Sequence, residues 1–171
     1  MILTGIQIKE ECYKSRIKIS PFNEEHITTN SFDLTLGDTL LKYENQLIDA
    51  KLPQDFQEIK IDKNGYQMNS GDFLLGHSNE KLGSDHFVPI IHGRSSVARL
   101  GLFVHVTADL IDIGWHGQVT FQFYSTLPVK LYPGMRIGQV TFWKPKGEII
   151  LYKGKYQNSE GPNSSQIYKD F

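Results

Sequence analysis

One cysteine in 171 residues, Cys12, leaves no partner for an internal disulfide and rules out any site needing several thiolates. Charge of one sign is equally scarce. With 18 basic residues against 19 acidic ones the formal net charge is -1, so any phosphate must be handled by local positive charge. Long apolar runs are also missing: no stretch approaches the ~18 residues of a membrane helix. The opening Met-Ile-Leu-Thr-Gly-Ile-Gln-Ile-Lys has no basic segment leading into an extended apolar one. From these absences we expect a soluble, cytoplasmic chain with no nucleic-acid or membrane partner.

What is present is ordinary globular material, 39% hydrophobic and 22% charged. The length suits one domain spanning residues 1–171, and folding at this size buries roughly 70% of the surface of the extended chain. Thr4 ahead of Gly5 to Tyr13 reads as a capped short helix, and the strand-like Arg16-Ile17-Lys18-Ile19 behind it is closed by Pro21. From residue 32 the texture changes to short runs of Val, Ile, Phe, Leu, Tyr and Thr separated by Gly, Pro, Asn and Asp. Val119, Phe121 and Phe123 alternate with Gln118, Thr120, Gln122 and Tyr124, giving one apolar and one polar face. Arg136 to Trp143 follows the turn signal Pro133-Gly134, and Glu148 to Tyr152 reads as a further strand. The pattern predicts a mostly β chain, a barrel or sandwich with few short helices. Residues 44 to 70 read as a surface excursion with irregular strands. Gly154 to Phe171 holds little that could build a core, so it is either disordered or ordered by something it covers.

Chemistry concentrates in two places. Gly93-Arg94-Ser95-Ser96-Val97-Ala98-Arg99-Leu100-Gly101-Leu102 puts two guanidinium groups and two hydroxyls within a few residues, a set suited to phosphate oxygens. The same residues would also make a capped turn with two surface arginines. Downstream, Asp112 beside the Gly114-Trp115-His116-Gly117 turn could bind a sugar hydroxyl, hold Mg²⁺ through water, act as a general base, or simply form the turn. Trp115 suits a barrel plug better than a base-stacking platform.

The ordered set Gly-Arg-Ser-Ser-x-Ala-Arg-Leu-Gly-Leu at 93–102, His-x-Thr-Ala at 105–108, Ile-Asp-x-Gly-Trp-x-Gly at 111–117 and Pro-Gly-Met-x-Ile-Gly-Gln at 133–139 resembles the dCTP deaminase branch of the trimeric dUTPase superfamily. Asn30 to Gly37 is similar to its N-terminal signature, and Lys155-Tyr156-Gln157 with Gly161-Pro162 to its C-terminal closing segment. The likeness is weakest over residues 44 to 67. It implies a distorted β-barrel of the dUTPase-like (β-clip) type with short helices, assembled as a homotrimer with sites between subunits. A mobile segment, 154–171, would close over the nucleotide.

Carried over by position, Arg94, Ser95 and Ser96 grip a triphosphate, and Arg99 helps place the catalytic water and substrate, with Ser95 and Ala108 beside it. Asp112 holds the deoxyribose 3′-hydroxyl. The backbone around Thr107, Ala108 and Thr120 to Gln122 reads the pyrimidine edge next to Trp115, and Tyr152, Lys155 and Ser159 lie toward the phosphates. The implied ligands are dCTP and dUTP, with dTTP a candidate inhibitor and Mg²⁺ carried by phosphates and water. Zinc is not expected, because zinc deaminases need a Cys-x-x-Cys pair that one cysteine cannot supply. The six histidines show no metal-ligand spacing and read as structural or surface residues. His105, inside the motif, is the candidate exception.

Two positions depart from the family pattern. Ser159 stands where the deaminase tail usually carries a glutamine. Gln122 stands where the deaminases carry the glutamate that activates water for attack on cytosine C4 and then protonates the departing ammonia, and an amide cannot take and return a proton near neutral pH. Three readings stay open here: a deaminase whose base has been exchanged, a dUTP diphosphatase using Asp112 and Mg²⁺, or a nucleotide binder without turnover. The motifs sit closer to the deaminases.

Overall fold

Thr4 accepts a hydrogen bond from the Gln7 backbone N–H at 3.4 Å and so caps α1, which spans Gly5–Tyr13 as its sequence predicts. The computed structural model describes residues 1–105 and 107–171. Beyond this helix the chain is built mainly of strands. In order they are β1 (Lys18–Ser20), β2 (Phe32–Thr35), β3 (Thr39–Tyr43), β4 (Phe56–Lys60), β5 (Tyr66–Met68), β6 (Phe73–Gly83) and β7 (Val88–Gly93). A four-residue helix, α2 (Ser95–Ala98), leads to β8 (Leu102–Phe103), β9 (His116–Ser125), β10 (Val129–Leu131) and β11 (Arg136–Trp143).

The chain is mostly β, and its strand pairs are antiparallel. One sheet runs β4-β3-β6-β9-β8 with β1 also on β6; a second runs β2-β11-β7, and β10 pairs with β5. None of these ladders closes into a ring among the described residues, so the expected barrel is realised as open ladders wrapped around one core. That core takes Phe32 and Leu34 from β2, Val119, Phe121 and Phe123 from β9, and Ile137, Val140 and Phe142 from β11, all buried. The Phe121 and Phe123 rings lie 5.7 Å apart between centroids. Phe123 packs directly on Gly76 of β6, where a Cβ would come within 2.4 Å of its ring, so only glycine admits the aromatic there.

Three expectations are corrected. The strand expected at Arg16 to Ile19 is β1, shifted to Lys18–Ser20 because it takes its register from Gly83 to Lys81 of β6. Glu148 to Tyr152 forms no strand among the described residues: Tyr152 N–H donates to the Ile113 carbonyl at 2.8 Å but no ladder develops from it, and Ile150 is 89% exposed. Within residues 44 to 70, β4 and β5 are regular, held by β3 and β10. No helix among the described residues is long and apolar enough to cross a membrane.

Replacing Phe121 by Ala should cost about 3–5 kcal/mol, the range for deleting a buried phenyl ring, and should appear as a lower denaturation midpoint in urea.

Candidate functional site

Strand β9 sets the site because its alternation leaves Gln118, Thr120 and Gln122 on the face opposite the buried phenylalanines. These three line a cleft of about 460 Å³, within the range of small-molecule pockets. The segment from His105 to Trp115 forms the facing wall, contributing His105, Ala108, Asp112 and Trp115. It is held to β7 by Ile91 N–H to the Asp109 carbonyl at 2.9 Å and Ile111 N–H to the Pro89 carbonyl at 3.0 Å. Gly114, at φ 91°, makes the turn into β9; a Cβ there would lie 2.8 Å from that of Leu151.

The last segment of the chain lies along this cleft. Trp115 donates its indole N–H to the Tyr156 carbonyl at 2.6 Å, and the Gln157 side chain accepts from His116 N–H at 2.8 Å while donating to the Gly114 carbonyl at 2.7 Å. Farther on, Gly161 N–H donates to the Gln118 side-chain oxygen at 2.7 Å and Asn163 N–H to the Thr120 hydroxyl at 3.1 Å. Ser165 N–H reaches the Tyr43 hydroxyl at 3.0 Å. Residues 156–165 are thus tied by hydrogen bonds to the walls they lie against.

The residues expected at the site divide into two groups. Ala108, Asp112, Trp115, Thr120, Gln122, Tyr152 and Ser159 line the cleft. Arg94, Ser95, Ser96, Arg99, Thr107 and Lys155 are not among its walls. Ser95, Ser96 and Arg99 are exposed on and beside α2, and the Arg94 Nε lies 3.1 Å from the buried carboxylate of Asp33, which also faces Arg136 at 3.8 Å. Lys155 pairs with Asp170 at 2.6 Å, and the Ser159 hydroxyl donates to the Tyr156 carbonyl at 2.7 Å. Among the described residues the cleft lining thus has one carboxylate, Asp112, and no arginine or lysine.

Sequence reasoning assigned no role to Asp33, Tyr43, Gln118 or Gln157. The signal for Asp33 was legible, since a carboxylate inside Phe32-Asp33-Leu34 needs a cation once buried. Tyr43 and Gln118 carry no such mark, because their partners are backbone amides over 40 residues away.

Two polar atoms of cleft-lining residues are buried without a partner among the described residues, Oε1 of Gln122 and Nδ1 of His105. The two residues sit side by side, joined by an isolated parallel bridge and by Gln122 N–H to the Val104 carbonyl at 3.1 Å. His105 Nε2 meets the Ala108 carbonyl at 2.8 Å, and burial pulls the imidazole pKa below the usual histidine range. Ala108 itself is held at φ 62°, a left-handed conformation uncommon for a residue with a Cβ.

Exchanging Gln157 for Ala removes the two side-chain hydrogen bonds that Gln157 makes to the Gly114 turn. It should speed amide hydrogen exchange at His116 and Asn158 by about tenfold or more, as loss of a buried donor's partner costs about 1–3 kcal/mol.

Comparison with known proteins matches this architecture to one family. The model of the dCTP deaminase-like family matches residues 2–145. A protein of Clostridium beijerinckii named "dCTP deaminase, dUMP-forming" is 43% identical over 172 aligned residues, covering 100% of this chain and 99% of its own. One of the same name from Cytophaga hutchinsonii is 39% identical with the same coverage. Among solved structures, the 2′-deoxycytidine 5′-triphosphate deaminase of Agrobacterium tumefaciens superposes with a TM-score of 0.66 at 19% identity, over 82% of this chain and 47% of that one. A mutant dUTPase from phage phi11 of S. aureus, described with a structural Mg(II) ion, gives 0.50 at 8% identity, over 82% and 97%. With the family model and full-length relatives in agreement, the chain belongs to the dCTP deaminase-like family.

Proposed function

We propose that this protein binds a pyrimidine deoxynucleoside triphosphate at a site shared between copies of the chain, and that it processes the nucleotide as a dCTP deaminase-type hydrolase. One observation carries the reading: a nucleoside-sized cleft holds Asp112 and Gln122 but no cation, while Arg94, Ser95, Ser96 and Arg99 cluster outside it. A triphosphate with several negative charges needs those guanidinium groups. A neighbouring copy supplies them, in a homotrimer with three equivalent sites. Asp112 takes the 3′-hydroxyl, the backbone near Thr107, Ala108 and Thr120 reads the base, and Tyr152 stands at the tail's root. Residues 154–171 close over the nucleotide, and Lys155 reaches phosphate by leaving Asp170.

Within that site the chemistry turns on Gln122. Deamination adds water to C4 of cytosine and expels ammonia, so one group must take a proton and return it. Ser95, Arg99 and the Ala108 carbonyl can place the water, but the Gln122 amide cannot carry the proton. Deamination by this chain is therefore slowed by ~10²- to 10⁴-fold relative to a glutamate enzyme.

A second activity is favoured by the cleft's one carboxylate and by the relatives' name, which gives dUMP as product. Asp112 can draw a proton from water attacking the α-phosphate of dUTP, releasing pyrophosphate, and Gln122 is not required for this. Mg²⁺ would enter with the triphosphate, taking most of its ligands from phosphate oxygens and water. When bound it neutralises phosphate charge.

Ammonia release from dCTP should rise by ~10²- to 10⁴-fold in Gln122→Glu, and an unchanged rate would remove the deaminase reading. Pyrophosphate release from dUTP should fall by a similar factor in Asp112→Asn while Gln122→Glu leaves it unaltered; full activity in Asp112→Asn counts against dUTP hydrolysis.

A further inference from the structure

The tail advances along β9 in steps of two residues and then leaves it. Gly161 N–H goes to Gln118 and Asn163 N–H to Thr120, so a further step would bring Ser165 N–H to Gln122. It goes instead to the Tyr43 hydroxyl at 3.0 Å, and Gln122 Oε1 stays without a partner among the described residues. Strand register shows how far the tail has crossed. Leu41 of β3 pairs with Leu75 of β6, and Leu75 with Gln122 of β9, so Tyr43 stands two strands from β9 and two residues beyond the Gln122 row. Its ring is held there by stacking on Phe73, with 6.5 Å between centroids and 4° between planes.

Beyond Asn163 the other hydrogen bonds among the described residues stay inside the tail. Gln166 N–H donates to the Tyr156 hydroxyl at 2.8 Å, and Lys155 pairs with Asp170 at 2.6 Å. The Ser165–Tyr43 bond is the one that joins residues 164–171 to the sheet, beside an exposed contact of the Lys51 ammonium over the Phe171 ring at 5.4 Å. Tyr43, Gln122, Asn163, Ser164 and Ser165 all line the cleft.

Resting on the nucleotide reading above, we infer that Tyr43 is a positioning residue: its hydroxyl draws the tail across to β3, so that the tail closes over the nucleotide without occupying Gln122. The demand on this bond grows when ligand arrives. Once Lys155 turns to phosphate, Asp170 is released, and Tyr43 remains as the hold of the tail's end on the sheet. The donor is a backbone N–H, so the tether depends on the acceptor at 43 and not on the side chain at 165.

The test is a double-mutant cycle on the full-length chain, titrated calorimetrically with the α,β-imido analogue of dUTP. Tyr43→Phe keeps the ring and its stack and removes the acceptor, while Ser165→Pro removes the donor N–H. Each should weaken binding ~3- to 10-fold, the worth of one hydrogen bond, and the double variant should bind no worse than either single one. Losses that multiply show the two residues acting separately and overturn the inference, as does wild-type affinity in Tyr43→Phe; both leave the nucleotide site standing. No binding to the wild type removes the nucleotide reading and the role of Tyr43 with it. Should Ser165→Pro fail to fold, hydrogen exchange at the Ser165 amide decides. Bound analogue should slow it ~10-fold or more in the wild type but not in Tyr43→Phe, and equal slowing in both refutes the tether.

Discussion

The two-residue period of β9 is the constraint that creates the cleft. Val119, Phe121 and Phe123 are locked into the core by ring packing and by the close approach of Gly76, so the strand can neither slip nor rotate. A shift of one residue would expose those side chains and bury Gln118, Thr120 and Gln122 among hydrocarbon. The core thus fixes the polar row to the place where the His105–Trp115 segment faces it. Site geometry and stability here share the same residues.

The tail reads that row with the same step. Gly161 and Asn163, two residues apart, donate to the side chains of Gln118 and Thr120, also two apart. The tail first pairs with the β9 backbone, Asn158 N–H to the His116 carbonyl and Gln118 N–H to the Ser159 carbonyl, both at 2.8 Å, and from Gly161 onward side-chain oxygens take the place of backbone carbonyls. Gln122 is next in the row and receives no such donor; its Oε1 stays unmet. Two of the three positions are taken by the chain itself, and the third is left for something else.

How much of this was legible in the sequence depended on the range of the interactions involved. The Thr4-capped helix and the alternation of β9 were readable because both are local, set by a side chain three residues from its partner or by neighbours along one strand. The acidic Asp33 could have been read as an anchor for a basic residue, though not for Arg94 in particular. Glu148 to Tyr152 has the composition of a strand but pairs in no ladder among the described residues, and composition says nothing of partners. The tail's attachments were hidden for the same reason: Ser165 meets Tyr43 across 122 residues. Gln122 was singled out only through its departure from a family pattern, whereas its unmet oxygen and its neighbour His105 required coordinates.

The separation of cations from the cleft has its own physical logic. An arginine facing His105 and Asp112 in a half-buried cleft would lose hydration and compete for the carboxylate before any ligand arrived. Paired instead with the buried carboxylate of Asp33, Arg94 has its orientation fixed outside the cleft with its side chain 31% exposed. In the proposed assembly the phosphate-binding charge meets the base-reading cleft only when two copies come together, so nucleotide and neighbour each strengthen the binding of the other. The exposed Ile150 and Leu151, adjoining the tail's root at Tyr152, lie where such a contact would cover apolar surface that one chain leaves to water. A cleft without cations in the single chain is therefore consistent with a triphosphate site, provided that the chain does not act alone.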